Sequence, residues 1–152
     1  MPQTSSIVVP ADVRYLEAVC SFVSGIAAIA GMDKEDIHRL EVAVDEACTN
    51  VIRHGYDNDA SQSYTVSCSI EPGVFTVEVQ ERGKPFDLGS LPEPDLNATV
   101  EDRPIGGLGM VFMRKLVDDV SYSVEPDGLK RLRLVKHLHA PSGKSRVDLP
   151  KT

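Results

Sequence analysis

Long apolar runs are absent from this 152-residue sequence. The apolar stretch at residues 22–30 is well short of the roughly 20 residues that a membrane-spanning helix needs. The N-terminus also lacks the basic segment followed by an apolar stretch that marks a secretory signal peptide. The sequence therefore predicts a cytoplasmic protein without a membrane segment.

Cysteine is also scarce. The chain has three, Cys20, Cys48 and Cys68, an odd number that contains no C-x-x-C pair. Because a disulfide framework needs paired cysteines and a structural zinc site needs closely spaced ones, neither is expected. The sequence favours buried thiols in a reducing compartment.

Basic residues are outnumbered by acidic ones, with 16 Lys and Arg against 23 Asp and Glu, a net charge of -7 and a pI of about 5.0. Proteins that bind nucleic acid meet its phosphates with clustered Lys and Arg. Nucleic acid is therefore not expected as a partner. An acidic surface of this kind is typical of a protein whose net negative charge keeps it in solution.

The composition, 41% hydrophobic and 26% charged, is typical of a globular chain long enough for one domain. Apolar periodicity and turn residues predict an α+β sandwich, with helices on one face of a mixed, mostly antiparallel sheet. The predicted strands are 5–9, 63–70, 74–80, 120–124 and 129–138, and the predicted helices are 12–30, 33–55 and 107–117. Residues 1–138 form the predicted domain, which includes a lid at about 88–106, and 139–152 form a flexible tail.

Glu46 and Asn50 lie four residues apart on the second predicted helix, so their side chains project together. Arg39 and Arg53 fall on the same side, opposite the apolar stripe. A carboxylate there can accept a proton, and an amide oxygen can join the octahedral shell of Mg²⁺ beside phosphate oxygens. By itself, this pattern is also what a plain solvated helix face shows.

Two glycine-containing turns complete the set of candidate site residues. Glu81 and Gly83 follow a predicted strand, where a carboxylate can accept a hydrogen bond from an amine such as that of adenine. Gly106, Gly107 and Gly109 open a predicted helix, whose amide groups and dipole favour phosphate oxygens. Taken singly, each segment is equally typical of an ordinary turn or hinge.

In this order, the three segments resemble the motifs of the anti-sigma factor serine/threonine-protein kinases. These kinases belong to the histidine kinase-like ATPase superfamily, with gyrase, the Hsp90 chaperones, histidine kinases and MutL. The resemblance runs from about residue 5 to residue 138. Its motifs are the run EVAVDEACTNVIRHGY at 41–56 (the N box), ERGKPFD at 81–87 (the first glycine box) and the segment beginning GGLGM at 106–122 (the second glycine box).

The resemblance implies a Bergerat-type two-layer fold with a lid before the second glycine box, and it implies roles for the candidate residues. Glu46 corresponds to the general base that activates a substrate serine, and Asn50 corresponds to the Mg²⁺ ligand. Glu81 stands where the family usually has an aspartate that contacts the adenine amine, with Gly83 beside the base. Gly106, Gly107 and Gly109 correspond to the glycines at the phosphates.

The resemblance also implies partners. ATP and Mg²⁺ are the expected cofactors, and the expected substrate is an anti-sigma factor antagonist of the STAS type. A sequestered sigma factor and a homodimer are further expectations. Because Glu81 adds a methylene to the family's aspartate, a second hypothesis is a non-catalytic partner-switching module of the same fold with a weakened nucleotide site. A detached histidine kinase domain is a weaker third, since no helix with a phosphoacceptor histidine precedes the N box.

Overall fold

The computed structural model describes residues 2–85 and 110–139. Within them, the order of strands and α-helices is β1 (Gln3–Pro10), α1 (Leu16–Ile29), α2 (Lys34–Asn50), β2 (Ser63–Glu71), β3 (Val74–Glu81), α3 (Met110–Leu116), β4 (Asp119–Val124) and β5 (Lys130–His137). The predicted lid at 88–106, the three glycines of the second glycine box and residues 140–152 lie outside the described residues.

The five strands form one sheet in the order β1-β2-β3-β5-β4. All four neighbouring pairs are antiparallel. The predicted α+β class is therefore confirmed, but the sheet within the described residues is wholly antiparallel where a mixed sheet was expected. Two predicted turns join the hairpins, and Gly73 (φ 76°) and Gly128 (φ 90°) supply the left-handed backbone that each turn requires.

Side-chain caps begin the first two helical segments where the sequence predicts them. Asp12 accepts a hydrogen bond from the Arg14 backbone N–H (2.9 Å) and starts a short 3₁₀ turn that leads into α1. Asp33 accepts one from the Asp36 backbone N–H (2.8 Å) at the start of α2. Such caps satisfy amide groups that have no partner inside the helix. No helix within 2–85 or 110–139 is long and apolar enough to cross a membrane.

The core lies between the helices and one face of the sheet. Alternation along the strands turns an apolar row toward α1 and α2, as the period of two dictates. Three charged residues lie at the ends of these inward-facing rows and are buried with them. Glu81 is the last residue of the row on β3, and Lys130 and Lys136 are the first and last residues of the row on β5. The buried apolar members of the two rows are Phe75, Val77, Val79, Leu132 and Leu134.

Lys136 holds the start of α2 to the sheet. Its ammonium lies 3.3 Å from Asp36 Oδ1 in the first turn of α2 and 3.8 Å from Asp118 Oδ2 just before β4. Lys136 and Asp36 are buried, and a buried ammonium without an acidic partner would be costly. Lys130, at the other end of β5, meets a different set of groups.

Candidate functional site

A small pocket lies between α2 and the sheet at the end where β3 finishes. Its cavity volume is only about 10 Å³, which is room for about one water molecule. Residues from α2 and the following turn face residues from three neighbouring strands across this space. The lining residues are Ala47, Val51, Val79, Glu81, Tyr122, Lys130 and Leu132. The pocket is thus apolar on its helix side and carries its charged groups on the sheet side.

Glu81 is the carboxylate of this pocket, and it is only 4% exposed. Its Oε1 accepts a hydrogen bond from the Gly83 backbone N–H (2.9 Å) and lies 3.5 Å from Lys130 Nζ. Its Oε2 is buried and has no hydrogen-bond partner among the described residues. Since a buried carboxylate oxygen normally has a donor, Oε2 can accept a hydrogen bond from a water or a ligand in the pocket.

Burial raises the pKa of Glu81, while the Lys130 ammonium and the Gly83 N–H act against that shift. Burial together with the Glu81 charge also raises the pKa of Tyr122 to about 12, so this hydroxyl keeps its proton at neutral pH. The pocket therefore combines a carboxylate whose pKa is raised, a protonated phenol, and an ammonium that protein acceptors hold in place.

Lys130 is a site residue that the sequence analysis missed. It is 3% exposed, and the β3–β5 register pairs it directly with Glu81. A signal was present, because Lys130 shares the period-two row of Leu132 and Leu134 that packs under the helices. A lysine is so seldom buried that the sequence favoured solvent for it.

Glu46 and Asn50 lie on α2 in the row adjacent to Ala47 and Val51, the helix wall of the pocket. Glu46 is half-buried. Asn50 is fully buried, although the helical wheel puts it opposite the apolar stripe. A helical wheel gives directions and does not show what covers each side. Neither residue lines the pocket of Glu81 itself, but each is followed in the chain by a residue that does, Ala47 and Val51 respectively.

The end of α2 departs from regular α-helix. Residues Val51–Gly55 form a π-helical turn, which periodicity in the sequence did not predict. The turn is tied to the end of β3: the Gly55 carbonyl accepts from the Lys84 N–H (2.8 Å), and the Tyr56 hydroxyl accepts from the Arg82 N–H (2.8 Å). The same hydroxyl donates to the Ser63 carbonyl (2.9 Å). These bonds hold the helix wall of the pocket against its sheet wall.

Gly83 is required at this junction by packing. A Cβ atom there would overlap the backbone carbonyl of Gly55. The family resemblance implies that this glycine lies beside the base, and the structure adds a contact between two backbone segments. The role of Gly83 beside a base stays a prediction.

We expect Gly83→Ala to lower the free energy of unfolding by about 1–3 kcal/mol, because backbone cannot move aside as a flexible side chain can. Urea unfolding followed by circular dichroism measures the change. Gly25→Ala is the matched control, since a Cβ at this α1 position meets no atom within 4 Å. That variant should be as stable as the parent or more so. Equal unfolding midpoints for Gly83→Ala and the parent would contradict the packing role.

A metal cluster made of side chains alone is not found in the described part of the chain, where no three His, Cys, Asp or Glu residues are grouped to bind an ion. The predicted metal ligand, Asn50, is present beside the pocket. The predicted glycines Gly106, Gly107 and Gly109 lie outside the described residues, so their role at phosphates stays a prediction.

Comparisons with known proteins agree with this architecture. The family model of the histidine kinase-like ATPase domain matches residues 9–136. The serine-protein kinase RsbW of Halalkalibacterium halodurans is 31% identical over 97% of this chain and 91% of its own length. The serine-protein kinase RsbW of Bacillus velezensis is 32% identical over 92% of this chain and 86% of its own. These names agree with the predicted resemblance and with the kinase class.

Among solved structures, the RsbU and RsbW domains of the Mycobacterium tuberculosis protein Rv1364c superpose with a TM-score of 0.64 at 18% identity. The match covers 90% of this chain and 32% of that one, and at this identity it supports the fold alone. The family model and the two curated relatives together cover nearly the whole sequence. The chain therefore belongs to the histidine kinase-like ATPase domain family, in the branch of the RsbW serine-protein kinases.

Proposed function

We propose that this protein binds Mg-ATP in the pocket beside Glu81 and transfers the terminal phosphoryl group to a serine of a STAS-type anti-sigma factor antagonist. We also propose that it sequesters a sigma factor. The observation that carries the nucleotide part is the buried Glu81 Oε2 on the wall of the pocket, an acceptor that finds no donor in residues 2–85 and 110–139. The exocyclic amine of adenine is a donor of the right kind.

The apolar lining of the pocket suits the faces of a purine ring, and binding would widen the space between its walls. Ala47 and Val51 lie on one side, and Val79 and Leu132 lie on the other. Ligand pockets are commonly of this kind, apolar with a few polar groups that fix orientation. Glu81 would fix the base, and α2 would then set the distance from the base to Glu46 and Asn50.

The donor set on α2 suits a magnesium nucleotide. Mg²⁺ prefers oxygen ligands and retains waters beside phosphate oxygens, so one protein oxygen such as that of Asn50 is a sufficient contribution. When bound, the ion would neutralise charge on the phosphates. Within the described residues the fit rests on Asn50, and the glycines at 106–109 are proposed to bind the phosphate oxygens through their amides.

Glu46 is proposed as the general base. It would accept the hydrogen bond of the incoming serine hydroxyl and take its proton as the serine oxygen bonds to the γ-phosphorus, whose bond to the bridging oxygen of the departing ADP breaks. Its position on α2, one residue before the pocket-lining Ala47, supports this role, because a general base must lie within reach of the proton that it takes. Positioning and charge neutralisation supply most of the rate in such reactions.

The test is a phosphotransfer assay with purified protein, labelled Mg-ATP and a STAS-domain antagonist from the same genome. We expect label on one serine of the antagonist and none when that serine is changed to alanine. Calorimetric titration with Mg-ATP accompanies the assay. Heat of binding without any phosphoserine would favour the non-catalytic switch module, and no heat at millimolar nucleotide would contradict the nucleotide site itself.

A further inference from the structure

Lys130 has its hydrogen-bonding capacity taken up by the protein. Its ammonium donates to the Gly83 carbonyl and to the Gly128 carbonyl (3.2 Å), and it lies 3.5 Å from Glu81 Oε1. Three acceptors thus surround a group that has three N–H bonds and no lone pair. A ligand in the pocket therefore meets no spare donor from Lys130.

The same contacts determine what Glu81 offers. Oε1 is held by the Gly83 N–H and the ammonium, and Oε2 is the oxygen that remains. The groups facing this carboxylate from the neighbouring strands and turns are Lys130, Tyr122 and Tyr56, and burial raises the pKa of both phenols. Among these groups, Lys130 is thus the charged one that favours the ionised form of Glu81, which can only accept.

We propose that Lys130 is a positioning residue that sets the base preference of the pocket. By holding Glu81 Oε1 and keeping its own N–H groups on the backbone, it leaves a single acceptor facing the ligand. A purine with an amino group at C6 can donate to that acceptor, whereas a purine with a carbonyl at C6 would meet it with a second acceptor. The inference rests on the proposed nucleotide site and assigns its selectivity to the Glu81–Lys130 pair.

The test compares calorimetric binding of Mg-ATP and Mg-ITP, which differ at C6 and in the hydrogen on N1. The parent should favour ATP by at least about tenfold, because a mispaired polar contact in a buried site is costly. In Lys130→Met, ATP affinity should fall about tenfold and the ATP-to-ITP ratio should approach one. Without the ammonium, Glu81 takes a proton and can both donate and accept.

Lys136→Met is the matched control. It removes the other buried lysine of β5, whose partners Asp36 and Asp118 are not among the residues that line the pocket. We expect its ATP-to-ITP ratio to equal that of the parent. Lys130→Gln is a second neutral variant, and it retains an N–H for the Gly83 or Gly128 carbonyl. It should lose the preference for ATP over ITP as Lys130→Met does, and it serves as the test if the methionine variant folds poorly.

A readout without nucleotide separates the two proposals. In a carbon-13 NMR titration of the nucleotide-free protein, the pKa of Glu81 should rise when Lys130 is replaced and stay unchanged in Lys136→Met. A folded Lys130 variant with the parental ratio and the parental Glu81 titration would overturn the positioning role. Failure of the parent to bind either nucleotide would overturn the proposed site, and with it the base preference, whatever the titration shows for the pair.

Discussion

Glu46→Ala is expected to reduce phosphoryl transfer by about 10²–10⁴-fold while nucleotide affinity stays within about threefold of the parent, since this is the range that general base catalysis contributes. Glu46 lies beside the pocket wall, whereas the groups that hold the base lie on the strands. Loss of the carboxylate should thus remove the proton acceptor and leave the base contacts in place. The measurements are single-turnover transfer to the antagonist and calorimetry with Mg-ATP.

Two further variants sharpen this result. Glu46→Gln keeps the shape and cannot take the proton, so it should be as inactive as the alanine variant. Asp45→Ala removes a carboxylate from the same helical turn, and its side chain points about 100° away. This control should retain transfer. Equal loss in Asp45→Ala, or loss of ATP binding in Glu46→Ala, would show that Glu46 supports the helix and does not act in the reaction.

Glu81→Gln is expected to reverse the base preference, with ATP bound about a hundredfold more weakly, because a buried hydrogen-bonding site that is wrongly matched discriminates strongly. The amide oxygen should turn toward the Gly83 N–H and Lys130, which both donate. The amide NH₂ then takes the place of Oε2 and presents a donor, which suits the carbonyl of ITP and opposes the amine of ATP.

The control for this variant is Glu78→Gln on the same strand. Glu78 belongs to the other face of the sheet, where its Oε1 lies 2.6 Å from Arg131. The Glu78→Gln variant should bind both nucleotides with the affinities of the parent. Calorimetry with ATP and ITP measures all three proteins. If the affinities of Glu81→Gln for ATP and for ITP fell by the same factor, Glu81 would have a role in folding and not in base recognition.

Much of the fold could be predicted from local signals. Alternation predicted the hairpin of β2 and β3, and Gly73 predicted its turn. The Asp33 side chain predicted the start of α2. These features depend on residues close together in the chain, so composition and period are enough to predict them.

The parts that were missed depend on contacts between distant segments. The overlap that Gly83 must avoid involves Gly55, and the acid that holds Lys130 is 49 positions away at Glu81. The burial of Asn50, opposite the apolar stripe, could not be predicted because a helical wheel does not include the neighbouring elements. The π-helical turn after Asn50 was also missed, since α and π turns share the same apolar pattern over five residues.

We propose that one buried carboxylate oxygen, Glu81 Oε2, receives the amine of an adenine nucleotide. A crystal structure with Mg²⁺ and a non-hydrolysable ATP analogue would show whether this contact forms. We predict the exocyclic nitrogen at about 2.9 Å from Oε2, the usual length of such a hydrogen bond, with Asn50 on the side of the phosphates. An adenine bound outside this pocket, or turned so that Oε2 has no donor, would contradict the account.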